Sequence, residues 1–345
     1  MERVLFLAPV EPKGDLSKPA LEALHAGVDL AKGLDAPLVI GLIGTGAKAA
    51  AERVATTGAE EILAVSGADF DTPRYASDVV AMEALVIAAQ ASVVLSPATS
   101  RVSRAIPAVA LRRGGRIDTH VTSLEAKDGA PAAERWFYRQ RMKAVFSRSQ
   151  RPWFLTLAPG VSTPWPGESR PVTPREIPVA GPEAGWRTRG VGEEAASAGA
   201  QTIRPDAEFL FVAGAGWMKK QADGKSHVRE AEDLIRNFLE ISKASLGSSK
   251  SLVDQSMEGD LVISFMTHLN QVGQTGSTPR HKKGLATCCH GEEPHVVGWR
   301  FIQERRAVNL DPNCGWARGK ADVVYVADAF QVVARLNEIL AEGGS

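Results

Sequence analysis

Residues 1–158 alternate short apolar runs with longer amphipathic stretches. The apolar runs have the length of buried strands and lie at 3–9, 38–43, 62–65 and 93–96. Between the first two runs, apolar side chains recur every three or four residues, at Leu21, Leu24, Val28 and Ala31. That spacing predicts a helix over 18–34, and further helices are predicted over 47–57, from Tyr75, and up to Leu111. Strands that alternate with helices are typical of a parallel sheet covered on both faces.

The pattern changes after Thr119, where the apolar runs become shorter and more closely spaced. They lie at 119–124, 135–138, 143–146 and 153–157, and they predict an antiparallel or mixed extension of the sheet. Arginines are interleaved with aromatic side chains across the middle runs, at Arg135, Trp136, Phe137, Tyr138, Arg139 and Arg141. Such a stripe can stack on nucleic-acid bases, or it can cover a subunit contact, where arginine and aromatic residues are enriched.

Residues 159–207 are rich in proline, glycine, glutamate and arginine and show no sustained periodicity. We interpret this segment as an interdomain linker that wraps along a surface. A second domain is predicted over 208–345, with strands and helices at 208–213, 228–246, 260–263 and 329–341. The expected fold class is α/β with two domains. A mixed sheet with flanking helices occupies 1–158, and a doubly wound parallel sheet occupies 208–345.

Charge and cysteine content narrow the function classes. The formal net charge of the 345 residues is zero, so the chain lacks the basic surface of a nucleic-acid binder. The arginine–aromatic stripe is therefore interpreted as a solvated face or a subunit contact. Three cysteines, two of them adjacent, form no disulfide framework and favour a reducing compartment.

The N-terminus and the apolar windows decide the expected location. Glu2 and Glu11 flank the first apolar run, which argues against a signal or transit peptide. The most apolar window, 81–98, is interrupted by polar residues and by Pro97, so it is not expected to span a bilayer. We expect a cytoplasmic bacterial protein that lies outside the membrane.

The stretch 271–311 carries two glycine turns that suit cofactor binding. The first, Gln271–Gly276, has the sequence QVGQTG. Glycine lets the backbone approach a ligand, and successive backbone N–H groups can cradle an anion. The second turn, His290–His295, follows an apolar run at 285–289. The strand predicted from Ala307 ends in polar side chains, and open α/β sheets bind their ligands at such strand ends.

Two other chemistries were weighed for the same stretch. Thiols and imidazoles that could ligate zinc or an iron–sulfur cluster occur at Cys288, Cys289, His290, His295 and Cys314. Adjacent cysteines rarely ligate one metal well, and structural zinc sites use wider spacings, so no metal site is predicted. Glu292 and Glu293 beside His290 could supply acid–base chemistry. No nucleophile accompanies them, so no catalytic residue is predicted.

Taken in order, these motifs resemble the FAD-binding part of the electron-transfer flavoprotein α subunit family. The matching segments are Gln271–Gly276, His295–Gly298, Val308–Pro312 and Ala321–Asp322. Upstream, Val212–Gly216 resembles the glycine-rich turn that opens the same domain, and Ser248–Lys250 resembles the family's serine–arginine segment. The resemblance covers about Glu208–Leu340 with specific motifs and the N-terminal half only loosely.

The resemblance implies that the C-terminal domain binds one FAD. Gln274 and Thr275 would face the flavin or its ribityl chain, and His295 would stabilise charge at the pyrimidine carbonyl. Asn309 and Asp322 would hold the adenosine end. The full set of implied cofactor-binding residues is Ser249, Lys250, Val272, Gly273, Gln274, Thr275, His290, Gly291, Glu292, Glu293, His295, Asn309 and Asp322.

The implied function is electron transfer. An α-like subunit would pair with an electron-transfer flavoprotein β-like subunit, accept electrons from a flavin-linked dehydrogenase and deliver them to a membrane quinone oxidoreductase of the respiratory chain. Such a subunit is an electron carrier, and whether it turns over a substrate by itself stays open. Two alternatives remain. One is a flavin-free interaction subunit that keeps the fold, and the other is an oxidoreductase that uses a bound dinucleotide for hydride transfer.

The chain departs from the family pattern at four places, one of which is a longer connection from Lys250 to Gln271. Ala215 stands where the glycine-rich turn usually carries an arginine, and Lys250 replaces the arginine of the serine–arginine pair. Lysine keeps the charge but loses the planar guanidinium group. The loop 290–295 carries two glutamates in place of an uncharged segment. These changes are expected to retune the flavin potential and the choice of partner.

Overall fold

The computed structural model describes residues 2–137, 142–182, 185–191, 203–204, 207–254, 262–273, 281–289, 298–299 and 302–343. The chain divides into two compact units, Met1–Glu193 and Glu194–Ser345. Within the described ranges, no helix is both long enough and apolar enough to cross a membrane.

A seven-stranded sheet forms the centre of the first unit. Its strands are β1 (Val4–Pro9), β2 (Leu38–Ile43), β3 (Glu61–Val65), β4 (Val93–Pro97), β5 (Arg116–Val121), β9 (Trp153–Leu157) and β10 (Arg175–Glu176). They lie in the order β10-β3-β2-β1-β4-β9-β5, and every neighbouring pair is parallel. The strands predicted from the first four apolar runs are confirmed.

Helices cover both faces of this sheet, as the periodicity predicts. They are α1 (Lys18–Gly33), α2 (Ala47–Val54), α3 (Tyr75–Ala89) and α4 (Ser100–Arg112). Successive side chains of a strand point to opposite faces. Phe6 therefore packs in the core that includes α1 and α2, and Leu5 packs in the core that includes α3 and α4. Both side chains are fully buried, which explains why β1 is a continuous apolar run.

The predicted extension of the sheet by residues 119–157 is wrong in one respect. The middle strands β6 (Ser123–Lys127), β7 (Ala130–Phe137) and β8 (Met142–Phe146) form a separate antiparallel sheet. The large sheet is therefore parallel throughout rather than mixed. Burial explains the division: all five residues of β9 are buried, as in a strand covered on both faces, whereas no residue of β8 is.

The start of the predicted linker lies along the first unit. The backbone N–H of Gly160 donates to the buried carboxylate of Glu22 at 2.7 Å. The N–H of Trp165 donates to the Leu21 carbonyl at 3.1 Å, and the N–H of Arg170 donates to the Glu52 carbonyl at 2.9 Å. These contacts satisfy backbone groups that an irregular segment would otherwise leave unpaired.

A five-stranded parallel sheet forms the centre of the second unit. Its strands are β11 (Phe209–Ala213), β12 (Ser245–Ser248), β13 (Lys283–Thr287), β14 (Glu304–Asn309) and β15 (Val323–Val326), in the order β12-β11-β13-β14-β15. Its described helices are α5 (Val228–Ser242), α6 (Lys250–Asp254), α7 (Gly315–Lys320) and α8 (Ala329–Gly343). The α/β fold class with parallel sheets and flanking helices is confirmed.

Two predicted elements of this unit need correction. The helix predicted over 228–246 ends at Ser242, because Lys243 adopts a left-handed conformation with φ of 55° and Leu246 belongs to β12. Of the strand predicted at 260–263, residues 260 and 261 lie outside the described residues, and Val262 and Ile263 are not in a strand. Ile263 packs in the core beside α5, which accounts for the apolar residue that the strand prediction relied on.

Asp118 joins the large sheet to the chain that follows the small sheet. Asp118 is buried, with 5% of the residue exposed. Its carboxylate accepts hydrogen bonds from Trp153 Nε1 at 2.9 Å and from the Arg148 guanidinium. Burial opposes ionisation of this carboxyl, but the hydrogen bonds from Arg148 and Trp153 outweigh it. The pKa of Asp118 is therefore lower than its usual value.

We predict that Asp118→Asn destabilises the protein by about 2 kcal/mol, the scale of a hydrogen bond to a charged group, because the Arg148 side chain is 41% exposed and water can hydrate its charge in the variant. The depressed pKa stabilises the fold at pH values above the unfolded-state pKa, near 3.9, and this contribution is lost as the pH falls through the folded-state pKa. Urea unfolding at pH 7 and at pH 3 measures both effects. The variant loses most stability at pH 7, and the difference from the wild type narrows in acid.

Asp128→Asn is the matched control, because Asp128 lies in an exposed turn and asparagine tolerates its left-handed conformation. Equal stability of the two variants at pH 7 would contradict this role for Asp118.

Candidate functional site: the carboxyl edge of the second sheet

The strand order of the second unit creates a crevice at one edge of its sheet. The chain runs from β11 outward to β12 and then returns to place β13 on the other side of β11. In open α/β sheets, ligands bind outside the carboxyl ends of the strands where the order reverses in this way. The loops after β11, β12, β13 and β14 are therefore the first place to look for a binding site.

At this reversal the loops after β11 and β13 lie in close contact. Gly214 follows β11, and its N–H donates to the Thr287 carbonyl at 2.8 Å. A Cβ on Gly214 would overlap the carbonyl oxygen of Cys288, so this position requires glycine. Trp217 Nε1 donates to Thr287 Oγ1 at 2.8 Å, and that hydroxyl donates to the Val212 carbonyl at 3.0 Å. This chain of bonds holds the two strand ends rigidly.

Ser249 and Lys250 follow β12 at the same edge. The Ser249 N–H donates to the Ala213 carbonyl at 2.8 Å, and its Oγ accepts from the Leu252 N–H at 3.3 Å. Ser249 is therefore committed to protein contacts. The Lys250 side chain is 51% exposed, and its Nζ lies 3.3 Å from the Asp254 carboxylate. The charge of Lys250 is thus near the edge and accessible.

Val272 and Gly273 begin the QVGQTG turn beside β12. Gln271 forms a parallel bridge with Ser248, and the Val272 N–H donates to the Ser248 carbonyl at 3.0 Å. Val272 is fully buried, so its side chain anchors the turn rather than touching a ligand. Gly273 has φ of 83°, a conformation that favours glycine and that turns the chain at the strand ends.

Two buried polar atoms at this edge have no hydrogen-bond partner within the described part of the chain. They are Ser248 Oγ and Gln271 Nε2, on residues that are 0% and 1% exposed. Burial of an unsatisfied polar group costs about 1–3 kcal/mol, so each such atom in a native fold requires an explanation, and a bound ligand is one. The two residues are bridge partners, so a polar ligand at the turn can satisfy both.

Asn309 ends β14 at the same edge but uses its side chain within the protein. Its Nδ2 donates to the Cys289 carbonyl at 3.1 Å, and its Oδ1 accepts from the Asp311 N–H at 3.0 Å. Asn309 thereby links the loop after β13 to the turn after β14. Its contribution to a site is to shape these two loops.

The structure does not bring Asp322 together with the other candidates. Asp322 precedes β15 and lies at the amino edge of the sheet, beside the start of β14. Its carboxylate accepts from the Arg305 guanidinium and from the Arg305 N–H, each at 2.7 Å. The side-chain and backbone hydrogen bonds from Arg305 hold the pKa of Asp322 below its usual value. Asp322 therefore forms an ion pair with Arg305 that aligns the start of β14 with the start of β15.

The remaining predicted site residues lie outside the described residues. They are Gln274, Thr275, His290, Gly291, Glu292, Glu293 and His295. Gly298 and Trp299, which follow them, are described and buried, and a Cβ on Gly298 would come within 2.5 Å of the Gly273 nitrogen. The chain after the second turn therefore returns to the first turn.

Sequence reasoning missed Ser248 and Gln271 as ligand-binding candidates. Each is the first residue of a motif that the sequence singled out, and Ser248 ends the buried strand β12. The signal that identifies them is their unsatisfied burial, which depends on long-range packing. Among the described residues, no three His, Cys, Asp or Glu side chains are placed to hold a metal ion.

Cys288 adopts a left-handed conformation with φ of 56° and lies against Gly216. Burial, together with a smaller contribution from the carboxylate of Asp328, raises the pKa of its thiol to about 12. Cys288 is half-buried, whereas Cys289 and Cys314 are buried. Because the thiolate is the reactive form, the Cys288 thiol is expected to be inert in the folded protein.

We predict that iodoacetamide alkylates Cys288 in the native protein at pH 8 at least about a hundredfold more slowly than in the urea-unfolded chain, where its pKa is near 8.5. Peptide mass spectrometry against time measures the rate for each cysteine. Rapid labelling of Cys288 in the folded state would show that the loop after β13 is open and that the packing described around Gly214 is wrong.

Comparison with known proteins places this chain in a family. The model described as "Electron transfer flavoprotein domain" matches residues 4–182, more than half of the chain. The electron transfer flavoprotein subunit alpha of Methylophilus methylotrophus is 25% identical over 346 residues, covering 99% of this chain and 100% of that protein. The subunit of the same name from Chromohalobacter salexigens is 25% identical over 137 residues, 40% of this chain and 28% of that protein.

The family match lies in the first unit, which the sequence motifs matched only loosely. The alignment with the Methylophilus protein extends it through the second unit, which contains the glycine turns. The expectation of family membership is thereby confirmed, and the low identity agrees with the departures noted at Ala215 and Lys250. This chain belongs to the electron transfer flavoprotein family as a divergent member of its α subunits.

Proposed function

We propose that this chain binds one FAD at the carboxyl edge of the second sheet and carries electrons as the α subunit of an electron transfer flavoprotein. The observation that carries the proposal is the similarity to an α subunit along essentially the whole length of both chains. Two further observations support a polar, anionic ligand such as a flavin nucleotide at this edge: the buried Ser248 Oγ and Gln271 Nε2, which have no partner among the described residues, and the accessible charge of Lys250.

The described residues divide the work of holding the cofactor. Gly214 lets the loops after β11 and β13 pack closely, and Gly273 gives the first turn its left-handed backbone. Ser248 and Gln271 supply hydrogen bonds to the ligand. Lys250 adds a positive charge within reach of anionic groups. Ser249 and Asn309 fix the loops that present these groups.

The proposal completes the site with the two turns that carry the family motifs. It assigns to the flavin the residues Gln274, Thr275, His290, Gly291, Glu292, Glu293 and His295. When bound, FAD supplies the redox chemistry by taking up and releasing electrons, and the protein binds, orients and tunes it. Asp322 is assigned to the alignment of β14 and β15, where its ion pair supports the loop after β14 indirectly.

Electron transfer flavoprotein α subunits pair with β subunits, and the first unit offers a surface for such a partner. The small sheet exposes three large apolar residues to solvent. They are Trp136, Met142 and Val145, which are 37%, 51% and 55% exposed. Arg135 stacks over Phe137 at 4.6 Å from the ring centroid. Aromatic, methionine and arginine residues are enriched at the cores of interfaces. We propose that the β subunit covers this sheet.

The electron donor and acceptor follow from the proposed role. We propose that a flavin-linked dehydrogenase reduces the bound FAD and that a membrane quinone oxidoreductase oxidises it. The chain itself stays outside the membrane and binds no nucleic acid in this proposal.

The proposal is tested with Gly273→Ala in the complex of this chain and its β subunit. An alanine at φ of 83° is strained, so the turn must shift away from the strand ends. We predict that FAD binds at least about tenfold more weakly, measured by flavin fluorescence during titration of the apoprotein. The flavin released by the wild type is identified as FAD by chromatography.

Gly58→Ala is the matched control, because Gly58 has φ of 75° in an exposed turn of the first unit and a Cβ there meets no atom within 4 Å. It carries similar backbone strain away from the site and should bind FAD like the wild type. If both variants bind FAD equally, the turn does not hold the cofactor. If the wild-type complex contains no flavin, the proposal fails as a whole.

A second prediction concerns the charge of Lys250. Because its side chain is half exposed and screened by water, Lys250→Gln is expected to weaken FAD binding by about 1 kcal/mol, about fivefold, whereas Lys250→Arg keeps the charge and the affinity. Lys282→Gln, at an exposed position before β13 on the amino edge of the sheet, serves as the control. Equal affinities for all three variants in a fluorescence titration would mean that Lys250 does not contact the cofactor.

A further inference from the structure

The second unit contains an apolar cavity that the proposed electron transfer does not use. Its volume is about 540 Å³, within the range of about 300–1,000 Å³ that ligand pockets occupy. It lies between helices α5 and α8 and one face of the sheet. Its apolar walls are formed by Phe209, Phe238, Leu285, Val308, Leu336 and Leu340. None of its described lining residues belongs to the candidate flavin site.

One cation is placed on this apolar face. Side chains alternate between the faces of a strand, and Val308 of β14 packs in the same core as α5 and α8. Arg306, two residues earlier, points to that face and lines the cavity. Among the described lining residues it carries the only formal charge, and its ion-pair partner Glu304 does not line the cavity.

The guanidinium of Arg306 keeps binding capacity. Its Nη1 donates to the Glu304 carboxylate at 3.2 Å. A guanidinium has five N–H donors, so this partner leaves donors for a further acceptor. The Arg306 side chain is 43% exposed, which places this group at the mouth of the cavity rather than in its depth. Tyr325 also lines the cavity and is 47% exposed.

The shape and charge of the cavity select one class of ligand. Apolar walls favour an aliphatic chain, because an unfilled cavity leaves its lining atoms without contact partners. A single arginine at the mouth favours a carboxylate, which it can bind through two parallel hydrogen bonds. A peptide would need partners for its backbone groups, and the described polar lining is limited to Ser242, Arg306 and Tyr325.

We propose that this cavity binds a fatty carboxylate, with the headgroup at Arg306 and the chain between α5 and α8. The site is separate from the FAD site, and the proposal does not depend on flavin binding. The chain of the bound acid contacts Leu285 of β13 and Val308 of β14, on the face of the sheet that α5 and α8 cover.

The test is calorimetric titration of the complex of this chain with its β subunit, with any cofactor that copurifies, below the micellar concentration of each ligand. The ligands are decanoate, decanol and decylammonium, which share a chain and differ in headgroup charge. We expect one decanoate per chain, bound at least tenfold more tightly than decanol, and decylammonium bound most weakly.

Variants separate the headgroup from the chain. Arg306→Gln should remove the tenfold preference for decanoate while decanol binding persists. Leu336→Trp should weaken decanoate and decanol alike by filling the chain site. Arg335→Gln is the control, because Arg335 is exposed on α8, pairs with Glu338 and does not line the cavity.

Several outcomes would overturn the proposal. Equal affinity for the three ligands would mean that the cavity recognises no headgroup. An unchanged preference in Arg306→Gln would move the site elsewhere. The absence of saturable decanoate binding would mean that the cavity takes no fatty carboxylate, and if binding occurs only when the β subunit is removed, the cavity is a subunit contact. Arg306→Gln changes a partly exposed side chain, so these outcomes remain readable even if Leu336→Trp fails to fold.

Discussion

The second unit depends on the constraint that all its strands run in one direction. Five parallel strands must end at a common edge, and the reversal of order between β11 and β13 separates the loops that follow them. The positions of the loops at the candidate site depend on this common edge. Gly214 is needed because the loop after β13 passes too close for a side chain, and the QVGQTG turn reaches the edge because Gln271 bridges Ser248. The same constraint places Asp322 away from the site, since the chain must return to the amino edge before it can enter β15.

Local patterns predicted the elements of the first unit well because the apolar residues that each strand and helix buries recur at the spacing of that element. The run Val4–Pro9 and the helix Lys18–Gly33 appear where the periodicity put them. Patterns could not say that β5 ends at Val121 and β6 begins at Ser123 in a different sheet, because both halves are equally apolar. Local spacing also places Leu246 in the helix that precedes it, because it does not show that the helix ends at Ser242 and that a strand begins at Ser245. The candidate site was found through motifs, but Ser248 and Gln271 become visible only when packing buries their polar atoms without partners.

Family membership and divergence have a common physical explanation. Backbone geometry at the reversal restricts Gly214 and Gly273, and these glycines are present. Side chains that tune a cofactor are less restricted, and there the chain departs from the pattern. Ala215 is buried in the turn after β11, and Lys250 pairs with Asp254 at an exposed helix start. A fold of this kind can keep a nucleotide-binding edge while it changes the charges around it, which is where redox potential and partner choice are set.

The central claim is that the cofactor binds at the carboxyl edge of the second sheet. Hydrogen–deuterium exchange of the complex with its β subunit, with and without FAD, tests this most directly, because bound ligand protects the amides it touches. The account predicts added protection at 214–217, 248–252 and 287–289, and none at Arg305 and Asp322 on the amino edge. Protection at the amino edge, or the same exchange at the carboxyl edge with and without FAD, would contradict it.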